Sequence, residues 1–248
     1  MKIVSWNANS IRARLENFTK LAEIYNPDIV LLQETRVEDH QFPREAIEDF
    51  GYNLAIKGQK GRNGVAICSK YPIEEVYSDF CEEARYIEAF TGGIFISSIY
   101  VPNGQEVNCP QYYYKLEFLK NLVSYLEKFR DEVFIMGGDF NVGPYPQDIY
   151  IKGYDGITGS QRERDAIAEI RAAGYKDMLE DGGYTWWSYR QRGFKKNNGF
   201  RLDQFYMNQR SQGLFKGGEV LLDIRTLERP SDHAPIMCEI ETKWQLGR

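Results

Sequence analysis

Apolar residues along this chain recur with two different periods. Ile11, Leu15, Phe18 and Leu21 fall at helical spacing behind the polar pair Asn9-Ser10, and Tyr112, Leu116, Leu119, Val123 and Leu126 repeat that spacing later. Ser160 followed by Glu163 is a capping-box pattern, which predicts a third helix running to about Ala173. Short apolar runs between these segments predict strands: Ile3-Val4, Ile29 to Leu32, Ile99 to Val101 and Phe134 to Met136. Residues 200–205 alternate polar with apolar positions and predict one more. The pairs Gly92-Gly93, Gly182-Gly183 and Gly217-Gly218 are expected at turns. Helices and strands alternate with no linker, repeat or low-complexity tract, so residues 1–248 are expected to form a single α/β domain of packed sheets covered by helices.

The predicted strands share a second property. The first runs into Asn7, the second into Gln33-Glu34, the third into Asn103 and the fourth into Asp139 and Asn141. One polar strand ending is an ordinary turn, because Asn and Asp favour loop starts. A series of them suggests that several strands of one scaffold aim carboxylates and carboxamides at one place.

Composition narrows the choice of class. The 248 residues are 42% hydrophobic and 27% charged, close to the soluble globular average, and no run approaches a membrane span. The start reads straight into a strand without an apolar leader, and Cys68, Cys81, Cys109 and Cys238 form no C-x-x-C pair. A reducing, cytoplasmic setting and no membrane partner are the expectation. A net charge of -5 argues against a protein that coats nucleic acid by charge alone, but it leaves room for a basic rim around an acidic, cation-filled site.

Glu34, Asp139, Asp203 and Asp232, with the carboxamides Asn7, Asn103 and Asn141, form an oxygen-rich set suited to a hard cation, Mg²⁺ or Mn²⁺. His233, one of two histidines, stands in S-D-H-A-P just before an apolar run. If the strand carrying Asp203 lies beside that loop, the carboxylate would hold one ring nitrogen and favour the charged imidazolium. Residues 186–196 interleave Trp186, Trp187, Tyr189 and Phe194 with Arg190, Arg192, Lys195 and Lys196, offering phosphate contacts and flat stacking surfaces. Lys57, Lys60 and Arg62 offer a second basic edge.

In order along the chain, S-W-N-A-N-S-I-R-A, L-L-Q-E-T, Y-V-P-N-G, G-G-D-F-N, T-W-W-S-Y-R, F-R-L-D and P-S-D-H-A-P resemble the exonuclease III type of apurinic/apyrimidinic (AP) endonucleases, within the endonuclease/exonuclease/phosphatase superfamily. The resemblance runs nearly end to end. It implies a four-layer α/β sandwich, two face-to-face mixed sheets flanked by helices. It implies Glu34 as the principal metal ligand, assisted by Asn7 and by Asp232 directly or through water, Asp203 orienting His233, and Tyr100, Asn103, Asn141 and His233 around the scissile phosphate, with Asp139 placed to deprotonate or orient the attacking water and the His233 pair as the alternative base. Trp186, Phe200 and Leu202 would line the pocket for a bare sugar turned out of the duplex. The chain departs from relatives that carry Trp where Phe200 stands and Asp where Asn9 stands, positions that bear on the ratio of endonuclease to exonuclease activity.

The reaction implied is hydrolysis of duplex DNA 5′ to an abasic site, leaving a 3′-hydroxyl, together with removal of 3′ nucleotides or 3′ blocking groups by a monomeric enzyme. Two rivals share residues with it. A superfamily phosphatase or phosphodiesterase acting on another phosphoester would keep the carboxylates and S-D-H. A non-catalytic DNA-binding module would be expected to have lost Glu34, Asp139 or His233, and all three are present.

Overall fold

The computed structural model describes residues 1–242. In chain order its strands are β1 (Lys2–Asn7), β2 (Ile29–Gln33), β3 (Asn53–Lys57), β4 (Val65–Ser69), β5 (Ile73–Tyr77), β6 (Tyr86–Thr91), β7 (Ile94–Tyr100), β8 (Phe134–Asp139), β9 (Lys176–Asp177), β10 (Trp186–Trp187), β11 (Gly199–Phe200), β12 (Asp203–Met207), β13 (Phe215–Val220) and β14 (Ile236–Ile240). The helices are α1 (Leu15–Tyr25), α2 (Arg44–Glu48), α3 (Pro110–Leu126), α4 (Gln161–Ala172), α5 (Gln209–Gln212) and α6 (Leu222–Arg225).

Two six-stranded sheets result, ordered β13-β14-β1-β2-β4-β3 and β5-β6-β7-β8-β12-β9, with β10 and β11 as a separate ribbon. Each sheet is antiparallel except at its centre, where β1 runs parallel to β2 and β7 parallel to β8. A parallel pair needs a crossover, supplied here by α1 and α3 respectively. The layers are therefore helix, sheet, sheet, helix, as the family resemblance implies.

Side chains on a strand alternate between faces, and this decides where the polar strand ends point. Ile3 of β1, Ile29 and Leu31 of β2, Ile135 of β8, Phe205 and Met207 of β12 and Ile236 of β14 fill the core between the sheets. Val4, Trp6, Val30 and Leu32 face outward under α1, while Phe134, Met136 and Tyr206 face outward under α3 and α4. Asn7, Gln33, Asp139 and Asp203 share the parity of the inner set, so all four sit on the inter-sheet face. Gly137, on the same face of β8, keeps the sheets close there: a Cβ would meet the Phe205 ring at 2.5 Å and Leu31 at 2.8 Å.

Several local expectations are revised. The segment after Ser10 first makes a 3₁₀ turn at Arg12–Arg14, and α1 starts only at Leu15. The buried stripe of α3 is rotated from the one predicted: Lys115, Phe118 and Leu122 are fully covered, whereas Leu116 and Val123 are half-buried. Residues 200–205 are two strands, broken where the Arg201 guanidinium turns inward to Asp148 and Asp177. Gly217-Gly218 is no turn but part of β13 beside a register shift, and a Cβ at Gly218 would lie 2.5 Å from the Met237 carbonyl oxygen. The capping box is present, with Ser160 N–H donating to Glu163 at 3.0 Å. Among the described residues no helix is long and apolar enough to cross a membrane.

Candidate active site

The C-terminal ends of the two central parallel pairs converge on one cleft. Asn7, at the end of β1, donates through one amide nitrogen to Glu34 Oε1 at 2.8 Å and to Asp139 Oδ2 at 2.9 Å, bridging the two sheets. Glu34 leaves β2 in the left-handed backbone region, φ 49°, as does Arg36 at 55°. Such conformations cost non-glycine residues about 1–2 kcal/mol each, and they persist where surrounding bonds hold them. Here Ser10 N–H donates to the Glu34 carbonyl and Arg36 N–H to that of Asn63, at 2.8 and 2.9 Å. The strained turn swings the Glu34 carboxylate into the cleft, where Arg36 Nε donates to it at 2.8 Å.

Asp139 and Asp203 are register partners on β8 and β12, and Tyr100 is the register partner of Asp139 on β7. His233 enters from the loop before β14, fixed by Ser231, whose hydroxyl accepts from His233 N–H and donates to the Asn7 carbonyl. Its Nδ1 lies 2.8 Å from Asp203 Oδ2 and its Nε2 3.7 Å from Asp139 Oδ2. Burial opposes charge on the imidazole, but the Asp203 and Asp139 carboxylates outweigh it and raise its pKa to about 10. The two carboxylates thus favour the charged imidazolium. Burial lifts Asp139 to about 7 despite the neighbouring imidazolium. Burial and the charges of Glu34 and Asp139 push the Tyr100 hydroxyl well above the ordinary tyrosine range.

The structure brings most of the predicted site residues together, in partnerships that composition could not supply. Asn141, with φ 52°, points its amide nitrogen at Asp139 and the Val101 carbonyl, while its backbone N–H donates to Asp139 Oδ1 at 2.8 Å. Asn103 is exposed and donates to Asn141 Oδ1 at 3.1 Å. Asp232 stands to one side: its two oxygens accept from Asn9 at 2.8 Å and from the Trp186 indole at 3.0 Å. Burial disfavours its charge, yet His233 and those two donors hold it below the ordinary carboxylate range.

Glu34, Asp139 and His233 each bring one ligand-type atom within 4.8 Å of the others. Two carboxylates sharing a single amide donor fit a hard cation. Asp203 occupies Nδ1 of His233, so Nε2 is the ring atom that faces Asp139. The charge of Asp203 acts on His233 through their 2.8 Å contact and also helps to raise Asp139.

Trp186 bridges to His233 through the backbone, and its ring lies 5.4 Å from that of Phe200, with Leu202 buried behind. The Phe200 ring is further flanked by Tyr154 at 5.8 Å and Tyr150 at 5.9 Å, two residues that pattern reading passed over because their segment has no periodicity. The basic-aromatic stretch divides. Trp187 and Phe194 pack edge to face beneath the loop, while Arg190, Arg192, Lys195 and Lys196 are exposed. Lys57 is committed to the Ser78 and Cys81 carbonyls; Lys60 and Arg62 are exposed.

A helix–sheet–sheet–helix sandwich whose strand ends gather carboxylates, carboxamides and an aspartate-held imidazolium defines a phosphoester-hydrolase class of scaffold. Residues 4–233 match the model of the "Endonuclease/Exonuclease/phosphatase family". Exodeoxyribonuclease III of Haemophilus influenzae is 32% identical over 97% of this chain and 100% of its own length. Among solved structures, an AP endonuclease from Archaeoglobus fulgidus superposes with a TM-score of 0.93 at 32% identity, covering 98% of this chain and 100% of its own. A 3′ phosphatase from Neisseria bound to a product DNA hairpin does so with 0.93 at 31%, with the same coverage. The chain belongs to the endonuclease/exonuclease/phosphatase family, in its exodeoxyribonuclease III and AP endonuclease branch.

Proposed function

We propose that this protein is a divalent-metal-dependent DNA repair phosphodiesterase that incises duplex DNA 5′ to abasic sites, leaving a 3′-hydroxyl, and that also removes 3′ nucleotides and 3′ blocking groups. The carrying observation is the buried relay Asp203–His233–Asp139, with Asn7 joining Asp139 to Glu34. The activities of the similar enzymes, an exodeoxyribonuclease, an AP endonuclease and a 3′ phosphatase, support the same reading.

Glu34 and Asn7 would hold Mg²⁺ or Mn²⁺, with Asp232 acting through Asn9 or water. A cation held there would neutralise charge growing on phosphate oxygens. His233, pinned by Asp203, keeps its proton and hydrogen-bonds a phosphate oxygen through Nε2–H, stabilising the negative charge of the transition state. Asp139, raised toward neutrality and clamped by Asn7 and Asn141, is suited to orient the attacking water and accept its proton as the bond from phosphorus to the 3′ oxygen breaks, the departing oxygen taking a proton from solvent. The Tyr100 hydroxyl and the Asn103 amide complete the phosphate side, and Asn141 acts by aiming Asp139.

Extrusion of the damaged nucleotide is easiest where pairing and stacking are already lost. Trp186, Phe200 and Leu202 would receive the bare sugar, and Arg190, Arg192, Lys195 and Lys196 would grip flanking phosphates. We further propose one catalytic domain over residues 1–248, acting as a cytoplasmic monomer.

The direct test is an end-labelled duplex with one abasic site, assayed with Mg²⁺ and with EDTA, beside an intact duplex with a recessed 3′ end. Metal-dependent incision at the abasic position is expected, and digestion of the recessed end ranks the exonuclease against it. A folded protein that cuts neither DNA but hydrolyses a soluble phosphomonoester would replace this reading with that of a phosphatase.

A further inference from the structure

Behind the cleft, α3 buries a lysine among aromatic and aliphatic neighbours. Lys115 and its partner Glu163 on α4 are both wholly inaccessible to solvent. The ammonium donates to the Asn141 carbonyl at 2.7 Å, to the Asn103 carbonyl at 3.2 Å and to Glu163 Oε1. Its three protons thus have three acceptors on three different segments.

Glu163 extends the network. Its Oε1 also accepts from Thr158 N–H at 3.1 Å, and its Oε2 accepts from the Ser160 N–H and hydroxyl at 3.0 and 2.8 Å. Tyr112, one turn before Lys115, bonds the same Ser160 hydroxyl at 2.7 Å. One ion pair therefore joins the loop after β7, the loop after β8 and the long connection that ends at α4. The approach is close: a Cβ at Gly104, whose φ is 88°, would lie 3.1 Å from Lys115 Cδ.

A buried ion pair is poor value for stability alone, since desolvation offsets its attraction and apolar replacements of both partners are often neutral or better. What the pair does here is positional. Lys115 pulls the Asn103 and Asn141 carbonyls together from behind, while Asn103 Nδ2 bonds Asn141 Oδ1 in front. Asn141 in turn fixes both oxygens of Asp139. Removing the ammonium would leave the buried Asn141 carbonyl without that donor and cut its link to the Asn103 carbonyl, and the peptide that aims Asp139 would be free to turn.

We infer that Lys115 is a positioning residue: with Glu163 it sets the spacing of the Asn103 and Asn141 loops, and so the placement of Asp139, without touching substrate. This rests on the nuclease reading for its activity consequence but not for its structural one. Three proteins separate the two: wild type, Lys115→Met, and Lys115→Met with Glu163→Gln. The single variant leaves a buried carboxylate unpaired and is expected to lose thermal stability; the double variant removes both charges and should recover most of it.

The double variant should nevertheless keep a kcat on abasic duplex down by about tenfold or more, as displaced catalytic groups do, with KM within about twofold because no substrate contact is lost. Hydrogen exchange over residues 102–109 and 141–145 should be faster than in wild type. A stable double variant with wild-type kcat and wild-type exchange would overturn the inference and leave the pair as structural cement. If wild type itself fails to cut DNA, the nuclease reading falls, and loop exchange alone still decides what Lys115 does.

Discussion

His233 Nδ1 lies 2.8 Å from Asp203 Oδ2, although 30 residues and a change of sheet separate the two. The contact favours the charged imidazole and leaves Nε2 to face Asp139 and the cleft.

Replacing Asp203 by Asn tests that statement through pH. In wild type the folded pKa of about 10 lies above the ordinary 6.5, so the stabilisation from protonated His233 is complete below about 6.5 and is lost as pH rises toward 10. In Asp203→Asn the His233 pKa is expected to fall, and the stabilisation would be lost at lower pH than in wild type. NMR titration of the His233 ring in metal-free protein reads this directly; an unmoved titration would mean that Asp203 does not set the charge.

Asp139→Asn should bind abasic duplex about as well as wild type and cut it at least about a hundredfold more slowly, the scale for loss of general-base help. A second consequence concerns stability. Asp139 has a folded pKa of about 7 against an ordinary 3.8, so its ionisation costs stability that accumulates as pH rises between those values. Metal-free Asp139→Asn is therefore expected to melt higher than wild type at pH 8 and at nearly the same temperature at pH 4. Rapid cleavage by the variant would remove Asp139 from the chemistry.

Glu34→Gln keeps the side-chain shape and removes one charge from the cluster of Glu34, Asp139 and His233. Calorimetric titration with Mn²⁺ should show binding weakened by about tenfold or more, on the scale expected when an ion loses its main carboxylate. Cleavage at fixed Mg²⁺ should fall with it. The thermal midpoint should change little, because the side chain is partly open to solvent and Arg36 loses only a cleft-rim partner. Unchanged Mn²⁺ affinity would move the cation elsewhere in the cleft.

Trp186 has two functions in this geometry: its ring forms one wall with Phe200, and its indole N–H holds Asp232 at 3.0 Å. Trp186→Phe keeps the wall and deletes the bond, whereas Trp186→Ala deletes both. Abasic incision should fall further in the alanine variant than in the phenylalanine one, while 3′-phosphate removal should fall about equally in the two. Parallel losses on both substrates would argue against a sugar pocket at this ring.

Much of this site was legible before any fold was known, for a simple reason. Strand side chains alternate, so Asn7, Asp139 and Asp203, each an even number of places from an inward apolar residue such as Ile3, Ile135 or Phe205, had to share the inner face once those residues were core. The order of motifs likewise carried the family. What the pattern misjudged were places where a tertiary partner outweighed local preference. Arg201 breaks an otherwise regular strand to reach Asp148 and Asp177, and Gly217-Gly218 serves close strand packing instead of a turn.

By itself, then, the sequence determined the longer helices, the central strands and the set of polar groups delivered at strand ends, because these depend on short-range periodicity and local chain geometry. Tertiary structure decided which of those groups meet. That Asn7 reaches Asp139 across 132 residues, that Asp232 bonds Asn9 and Trp186 while Asp203 takes the histidine, and that a lysine in an apolar stripe finds two loop carbonyls are set by the register of the two sheets and the packing between them. Those distances depend on contacts far apart in the chain, and no local pattern encodes them.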